Sequence, residues 1–181
     1  RGLLGTSVAW FERGHDGRPL APEAWREYCM ASVTTHDMPP TAGYLAMEHV
    51  QLQHELGLLT EQLGTEIAFA RAEQGQWLTL LRERGLLAAD DTDVESIVLA
   101  MHRFLLATPS RVLVAALTDA VGERKTQNQP GTVNEYPNWR VPLHGSDGRR
   151  LWLEDVYDDA RALRLAGVMN GFQQPPTLPR S

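Results

Sequence analysis

His36-Asp37, an imidazole beside a carboxylate, is the pair in this sequence whose types and setting could do chemistry. It follows the short, mostly β-branched run Ser32-Val33-Thr34-Thr35 and precedes Met38-Pro39-Pro40-Thr41-Ala42-Gly43-Tyr44. β-Branched side chains pack well on a pleated surface and lose rotamer freedom in a helix, so residues 31–35 are expected to be extended. Met38 precedes a proline and is pushed out of the helical region, and the two prolines stop the strand just ahead of a helix signal. Asp37 is thereby left at the C-terminal tip of a strand, where a (β/α)8 barrel keeps its chemistry. The competing role is a helix cap that accepts backbone N–H bonds from the turn that follows.

Two other blocks draw attention. Gly5-Thr6-Ser7-Val8-Ala9-Trp10-Phe11-Glu12 ends an apolar stretch on two aromatics and an acid. Asn128-Gln129-Pro130-Gly131-Thr132-Val133-Asn134-Glu135-Tyr136-Pro137-Asn138-Trp139-Arg140 is too irregular for a core element and richer in aromatics than a plain linker. Its Pro-Gly-Thr and Pro-Asn-Trp steps are also ordinary turn chemistry, with Trp139 packing underneath. Other constellations point nowhere. Glu48-His49 and His54-Glu55 space their histidines five apart, off the i, i+4 helical face, and read as a solvated flank rather than a metal site. Gly2-Leu3-Leu4-Gly5 lacks the Gly-Lys-Ser/Thr of a phosphate loop. No metal or cofactor is expected.

The elements that must position these groups follow from pattern. Residues 3–11, 31–35 and 111–117 read as three short buried strands. Residues 22–27 read as a short helix with proline in its first turn. A leucine stripe at Leu45, Leu52, Leu56, Leu59 and Leu63 marks a helical face interrupted at Gly57, and the pattern continues through Ile67, Ala70, Trp77 and Leu81 to Gly85, a candidate left-handed cap. Thr92-Asp93-Val94-Glu95 reads as a capping box ahead of the apolar face Val94, Ile97, Val98, Met101, Phe104 and Leu105. A brief helix is expected over 118–121, a tight turn at Gly145-Ser146-Asp147-Gly148, and a last amphipathic helix over 154–169. Residues 173–181 form a proline-rich tail with no core to join. Strands alternating with helices imply consecutive βα units and a parallel sheet.

At 181 residues the chain suits one domain, whereas a whole (β/α)8 barrel needs about 250. It starts directly in an apolar strand, which reads as a fragment. A net charge of −6 argues against a phosphate-backbone partner, and Glu123-Arg124-Lys125 is too short for a nucleic-acid patch. Cys29 is the only cysteine, so no internal disulfide can form, which suits the cytoplasm. No apolar run approaches a membrane span, and no membrane partner is expected.

The three blocks, in this order and with these helical spacers, closely resemble the C-terminal part of bacterial 4-α-glucanotransferases, the amylomaltases of the α-amylase-like superfamily. The resemblance covers residues 3 to about 171. It implies an α/β fold, the C-terminal part of a (β/α)8 barrel: about three parallel strands, the sixth to eighth, occupying residues 1–172 and incomplete as given. It also implies retaining transfer of α-1,4-glucan segments from malto-oligosaccharide donors to a glucose or glucan acceptor. Such chemistry needs a carboxylate nucleophile and a carboxylic acid on opposite sides of the bond. The family carries these on earlier strands, and no segment here matches either motif. By resemblance Asp37 is the third, transition-state-stabilising carboxylate, and His36 donates to a hydroxyl of the sugar in the cleavage subsite. Trp10, Phe11 and Glu12 are read as lining the acceptor side, or alternatively as a core aromatic pair capped by a solvated acid. Asn128, Asn134 and Asn138 offer donors and acceptors suited to sugar hydroxyls. Glu12, Asp37 and the Asn128 loop are expected at one C-terminal rim. The partners implied are α-1,4-glucans and the remainder of the barrel, the fragment alone being expected to self-associate. A non-catalytic glucan-binding or helical interaction module of the same descent, or a simple α-glucan hydrolase, are the competing outcomes.

Overall fold

The computed structural model describes residues 3–171. Three strands, β1 (Gly5–Val8), β2 (Cys29–Ser32) and β3 (Val112–Val114), form a parallel sheet in the order β1-β2-β3. Seven helices follow the strands: α1 (Thr41–Leu45), α2 (Glu48–Glu55), α3 (Leu63–Glu83), α4 (Val94–Leu106), α5 (Leu117–Val121), α6 (Leu153–Tyr157) and α7 (Ala160–Met169). The parallel α/β arrangement is the expected one. The proline-rich stretch 173–181 lies outside the described residues.

Register separates the two faces of the sheet. Ser7, Ala31 and Leu113 pair across the strands; Ser7 and Ala31 are buried, and the core between sheet and helices takes in Ala31 with Trp77 and Leu81 of α3 and Met101 and Phe104 of α4. Alternation puts Thr6, Met30, Val112 and Val114 on the other face. Met30, Val112 and Val114 remain more than a third exposed there. Together with Thr6 and Ser32, Met30 and Val114 line a cavity of about 530 Å³ that extends to His36. Parallel sheets are ordinarily covered on both faces, so this one presents an apolar inner side without cover among the described residues.

β1 and β3 are shorter than their apolar runs, and β2 starts two residues earlier than expected and ends at Ser32, so that residues 33–35 lie outside the sheet. Residues 9–11 leave the sheet as a 3-10 turn, because the Trp10 ring is drawn into the aromatic core. It stacks on Tyr44 at 4.2 Å and meets Trp77 edge-on at 5.8 Å. Residues 22–24 likewise form only a 3-10 turn. The leucine stripe breaks twice. Gly57 takes a positive φ of 68°, and Met47 takes one of 62° between α1 and α2. At Gly85 the expected cap is a full Schellman motif: Leu86 N–H donates to Leu81 O, and Gly85 N–H to Arg82 O, both at 2.9 Å. The cap of α4 is Asp93, whose carboxylate accepts from Ser96 N–H at 2.9 Å, not a box built on Thr92. The last helix is two, because Asp159 caps a new start by accepting from Arg161 and Ala162 N–H.

His49, stacked on Tyr44 at 4.8 Å, is held neutral by burial, which pushes its pKa down to about 4. Its Nδ1 is buried without a partner. An unfolded histidine titrates near 6.5, so between pH 6.5 and 4 the unfolded chain binds the extra proton and stability falls with pH. The loss should reach about 2 kcal/mol by pH 5. Replacing His49 by Phe keeps a stacking ring and removes the proton site. The stability of His49→Phe relative to the parent protein should therefore rise as the pH is lowered from 7 to 5; chemical denaturation at the two pH values measures this, and a constant difference would refute it.

Candidate active site

Asp37 sits in a turn beyond the C-terminal end of β2, closed by Met38 N–H donating to Thr35 O at 3.2 Å. Each of its carboxylate oxygens meets one side chain. Oδ1 accepts from Asn128 Nδ2 at 2.7 Å, and Oδ2 lies 3.3 Å from His36 Nε2. The Asp37 side chain is 48 % exposed and that of His36 is 58 % exposed. A carboxylate can accept about four hydrogen bonds, so each oxygen is oriented by the protein and still has capacity facing outward. Such a carboxylate can still accept hydrogen bonds from hydroxyl donors. The helix-cap alternative fails, because the first amide of α1 is taken by another carboxylate: Asp119 accepts from Thr41 N–H at 2.7 Å and from Thr41 Oγ1 at 2.8 Å.

The turn is clamped from several sides. Thr34 Oγ1 donates to Pro39 O at 2.8 Å. The Thr126 hydroxyl lies 3.2 Å from Met38 O and 2.9 Å from Asn128 O, and Asn128 N–H donates to His36 O at 3.2 Å. Asp119 is wholly buried beside His102, whose Nε2 is 4.0 Å away and whose Nδ1 donates to Val98 O at 2.8 Å. Burial pushes the Asp119 carboxyl above its ordinary range, opposed by His102 and the two Thr41 bonds. Further along, buried Glu123 accepts from the amides of Arg124, Lys125 and His144, fixing the segment that leads into the Asn128 loop. Prolines 39 and 40 leave little slack between the Thr41 anchor and Asp37.

The structure thus joins the two blocks that the sequence separates by ninety-one positions, His36-Asp37 and Asn128. It also reassigns several residues. Trp10 is 6 % exposed and committed to the Tyr44–Trp77 cluster, so no free ring face remains for an acceptor sugar. Phe11 is 69 % exposed and stays available. Glu12 pairs with Arg26 at 3.4 Å, turned to a different partner from the His36-Asp37 turn. Asn138 is spent inside its loop: Oδ1 accepts from Gln129 N–H at 2.8 Å and Nδ2 donates to Thr132 Oγ1 at 2.8 Å. Asn134 is exposed. The amides of Val133, Glu135 and Asn134 hold the Glu135 carboxyl below the usual range, which suits a loop staple and not a proton donor. Asn128 and His36 both turn towards Asp37 and meet its two carboxylate oxygens.

Trp139 departs from the packing that ordinary turn chemistry would give it. It is not packed underneath: it is 65 % exposed, with its ring centroid 4.9 Å from that of His36. Its φ is +63°, a conformation that costs a bulky residue about 1–3 kcal/mol. Among the described residues no cluster of three or more His, Cys, Asp or Glu side chains is placed to hold a metal ion.

Comparison with known proteins shows the family and the fold. A family model described as 4-alpha-glucanotransferase matches residues 1–147. The 4-alpha-glucanotransferase of Mycobacterium tuberculosis (strain H37Rv) is 55 % identical over 181 aligned residues, covering 97 % of this chain and 25 % of that protein. The one from Haemophilus influenzae is 26 % identical over 117 residues, covering 60 % of this chain and 17 % of that protein. The crystal structure of amylomaltase from Corynebacterium glutamicum matches with a TM-score of 0.87 and 35 % identity, over 93 % of this chain and 26 % of that one. An amylomaltase from Streptococcus agalactiae, solved in complex with acarbose, matches in fold alone, at a TM-score of 0.54 and 16 % identity over 93 % of this chain and 28 % of that one. The three parallel strands and their helices are thus the fold of part of a TIM-barrel enzyme, and the chain spans about a quarter of the length of the mycobacterial relative. Because the matched span takes in the β1 end, the His36-Asp37 turn and the Asn128 loop together, the chain belongs to the 4-alpha-glucanotransferase family.

Proposed function

We propose that this chain forms one side of the active site of an enzyme that transfers α-1,4-glucan segments between malto-oligosaccharides with retention, and that Asp37 is its transition-state-stabilising carboxylate. The observation that carries the reading is the state of Asp37: half exposed, each oxygen oriented by one donor, with acceptor capacity left on both. In a retaining transfer a carboxylate attacks the anomeric carbon while an acid protonates the leaving oxygen; an acceptor hydroxyl then displaces the enzyme, the same residue taking its proton back. The nucleophile and acid/base belong, in this reading, to the rest of the protein. Asp37 binds hydroxyls of the reacting sugar, and its charge gains in value as the sugar becomes an oxocarbenium-like cation. His36 and Asn128 hold the carboxylate in place.

The remainder of the barrel is proposed to cover the inner sheet face formed by Thr6, Met30, Val112 and Val114, and the isolated chain to self-associate through that face and its strand edges. Among the described residues no helix is long and apolar enough to cross a membrane. The single buried thiol of Cys29 supports placing the enzyme in the cytoplasm.

Incubation of the full-length protein with maltotriose tests the activity. Transfer gives glucose or maltose together with chains longer than maltotriose, and these longer products are expected from the earliest time points. Glucose and maltose alone would mean that water, not a sugar hydroxyl, is the acceptor, and the protein would then be a hydrolase.

A further inference from the structure

Among the described residues two non-glycines hold a positive φ, Met47 and Trp139. Met47 serves the break between α1 and α2. Trp139 serves no such element; glycine or asparagine could make its turn at less steric cost. The loop nevertheless enforces the conformation. Trp139 N–H donates to Gln127 O at 2.9 Å, Arg140 N–H donates to Pro137 O at 2.9 Å, and the Asn138 amide staples the intervening chain. A strained aromatic ordinarily recovers its cost by burial, yet this indole is 65 % exposed. What the strain secures is a place on the rim, against His36 at 4.9 Å, with His36 Nε2 in turn 3.3 Å from Asp37. The imidazole meets both the indole and the carboxylate, so a pyranose over the indole would lie close to the one whose hydroxyls Asp37 takes.

The C–H face of a glucose ring is apolar and stacks on an exposed aromatic, while its hydroxyls stay solvated at the edge. Resting on the function proposed above, we infer that Trp139 is a platform for the glucosyl unit neighbouring the one at Asp37, and that it determines how tightly chains longer than that single unit are held. Its backbone strain is the cost of placing a large flat side chain where the loop alone would put none.

The test uses the full-length protein carrying Asp37→Asn, so that oligosaccharide is consumed at least about 10²-fold more slowly than by the parent protein, titrated calorimetrically with maltoheptaose. Adding Trp139→Gly should weaken binding about tenfold, the loss of one stacking contact, whereas Trp139→Phe should stay within about threefold. Glycine adopts the required φ freely, so the thermal midpoint of Trp139→Gly should be no lower than that of the background protein. Weaker binding without loss of stability is something a merely structural tryptophan would not give. Unchanged binding in Trp139→Gly overturns the inference, and so does a lowered midpoint with binding lost equally in the Phe variant. Turnover of maltotriose by the parent protein, measured alongside, separates the two proposals. Transfer with binding indifferent to Trp139 removes the platform alone; absence of both transfer and binding removes the proposed function and the platform with it.

Discussion

In the full-length protein, Asp37→Asn is expected to lower turnover by about 10²-fold or more while leaving the fold intact. The two side chains are nearly isosteric. Asparagine still offers Asn128 Nδ2 an oxygen at the position where Asp37 Oδ1 accepts at 2.7 Å, and its amide can face His36, which accepts in its other tautomer. The turn therefore survives, clamped as before by Thr34, Thr126 and Asp119. What disappears is the negative charge facing the sugar. A charge-assisted hydroxyl contact is about twice as strong as a neutral one. That excess grows as positive charge develops at the anomeric carbon, so the penalty falls on the transition state more than on the bound substrate. The rate of maltotriose disproportionation should drop with little change in thermal midpoint. Activity within about threefold of the parent would remove Asp37 from the chemistry.

The largest structural effect is expected from Gly43→Ala. A Cβ at this position of α1 would stand 2.0 Å from the carbonyl oxygen of Arg124 and 2.9 Å from its carbonyl carbon. Both are backbone atoms, so no side chain can swing aside. Helix α1 and the segment after α5 must separate, and overpacking of this kind costs about 3 kcal/mol. The Arg124 segment is itself tied down by Glu123, which accepts from the Arg124 and Lys125 amides, and it runs directly into Thr126 and Asn128. A displacement that begins at Gly43 should therefore reach the donor that orients Asp37. Gly43→Ala should lower both the thermal midpoint and the turnover number. Gly75 of α3, which has open space around it, is the control: Gly75→Ala should do neither. Equal behaviour of the two variants would contradict the close approach.

Much of the framework was legible from local chemistry. The Schellman end at Gly85, the break at Gly57, the 145–148 turn and the apolar face of α4 each depend on side chains within one or two turns of the backbone, and such signals survive without tertiary context. Element ends were less legible. Residues 9–11 look like the end of a strand, but stacking with Tyr44 and Trp77 draws Trp10 out of the sheet, and those partners lie far along the chain. In α4 the cap passed from Thr92 to Asp93 because both residues are competent and only the backbone path selects one.

The sequence by itself determined that a His-Asp pair lies beyond the C-terminal end of a strand, that an Asn-rich aromatic loop follows the last strand, and that the strands run parallel. Propensity, proline placement and family motif all act along the chain. Only the tertiary structure decided how those pieces serve one another. Asn128 reaches Asp37, Asn138 is consumed in stapling its own loop, Trp10 is buried, and Trp139 stands exposed beside His36. The physical reason is that an amide or an indole has the same chemistry wherever it sits. Whether it orients a carboxylate, closes a loop or faces a ligand depends on which backbone approaches it, and here that approach is set by Asp119, Glu123 and the missing side chain of Gly43, whose roles leave no local trace in the sequence.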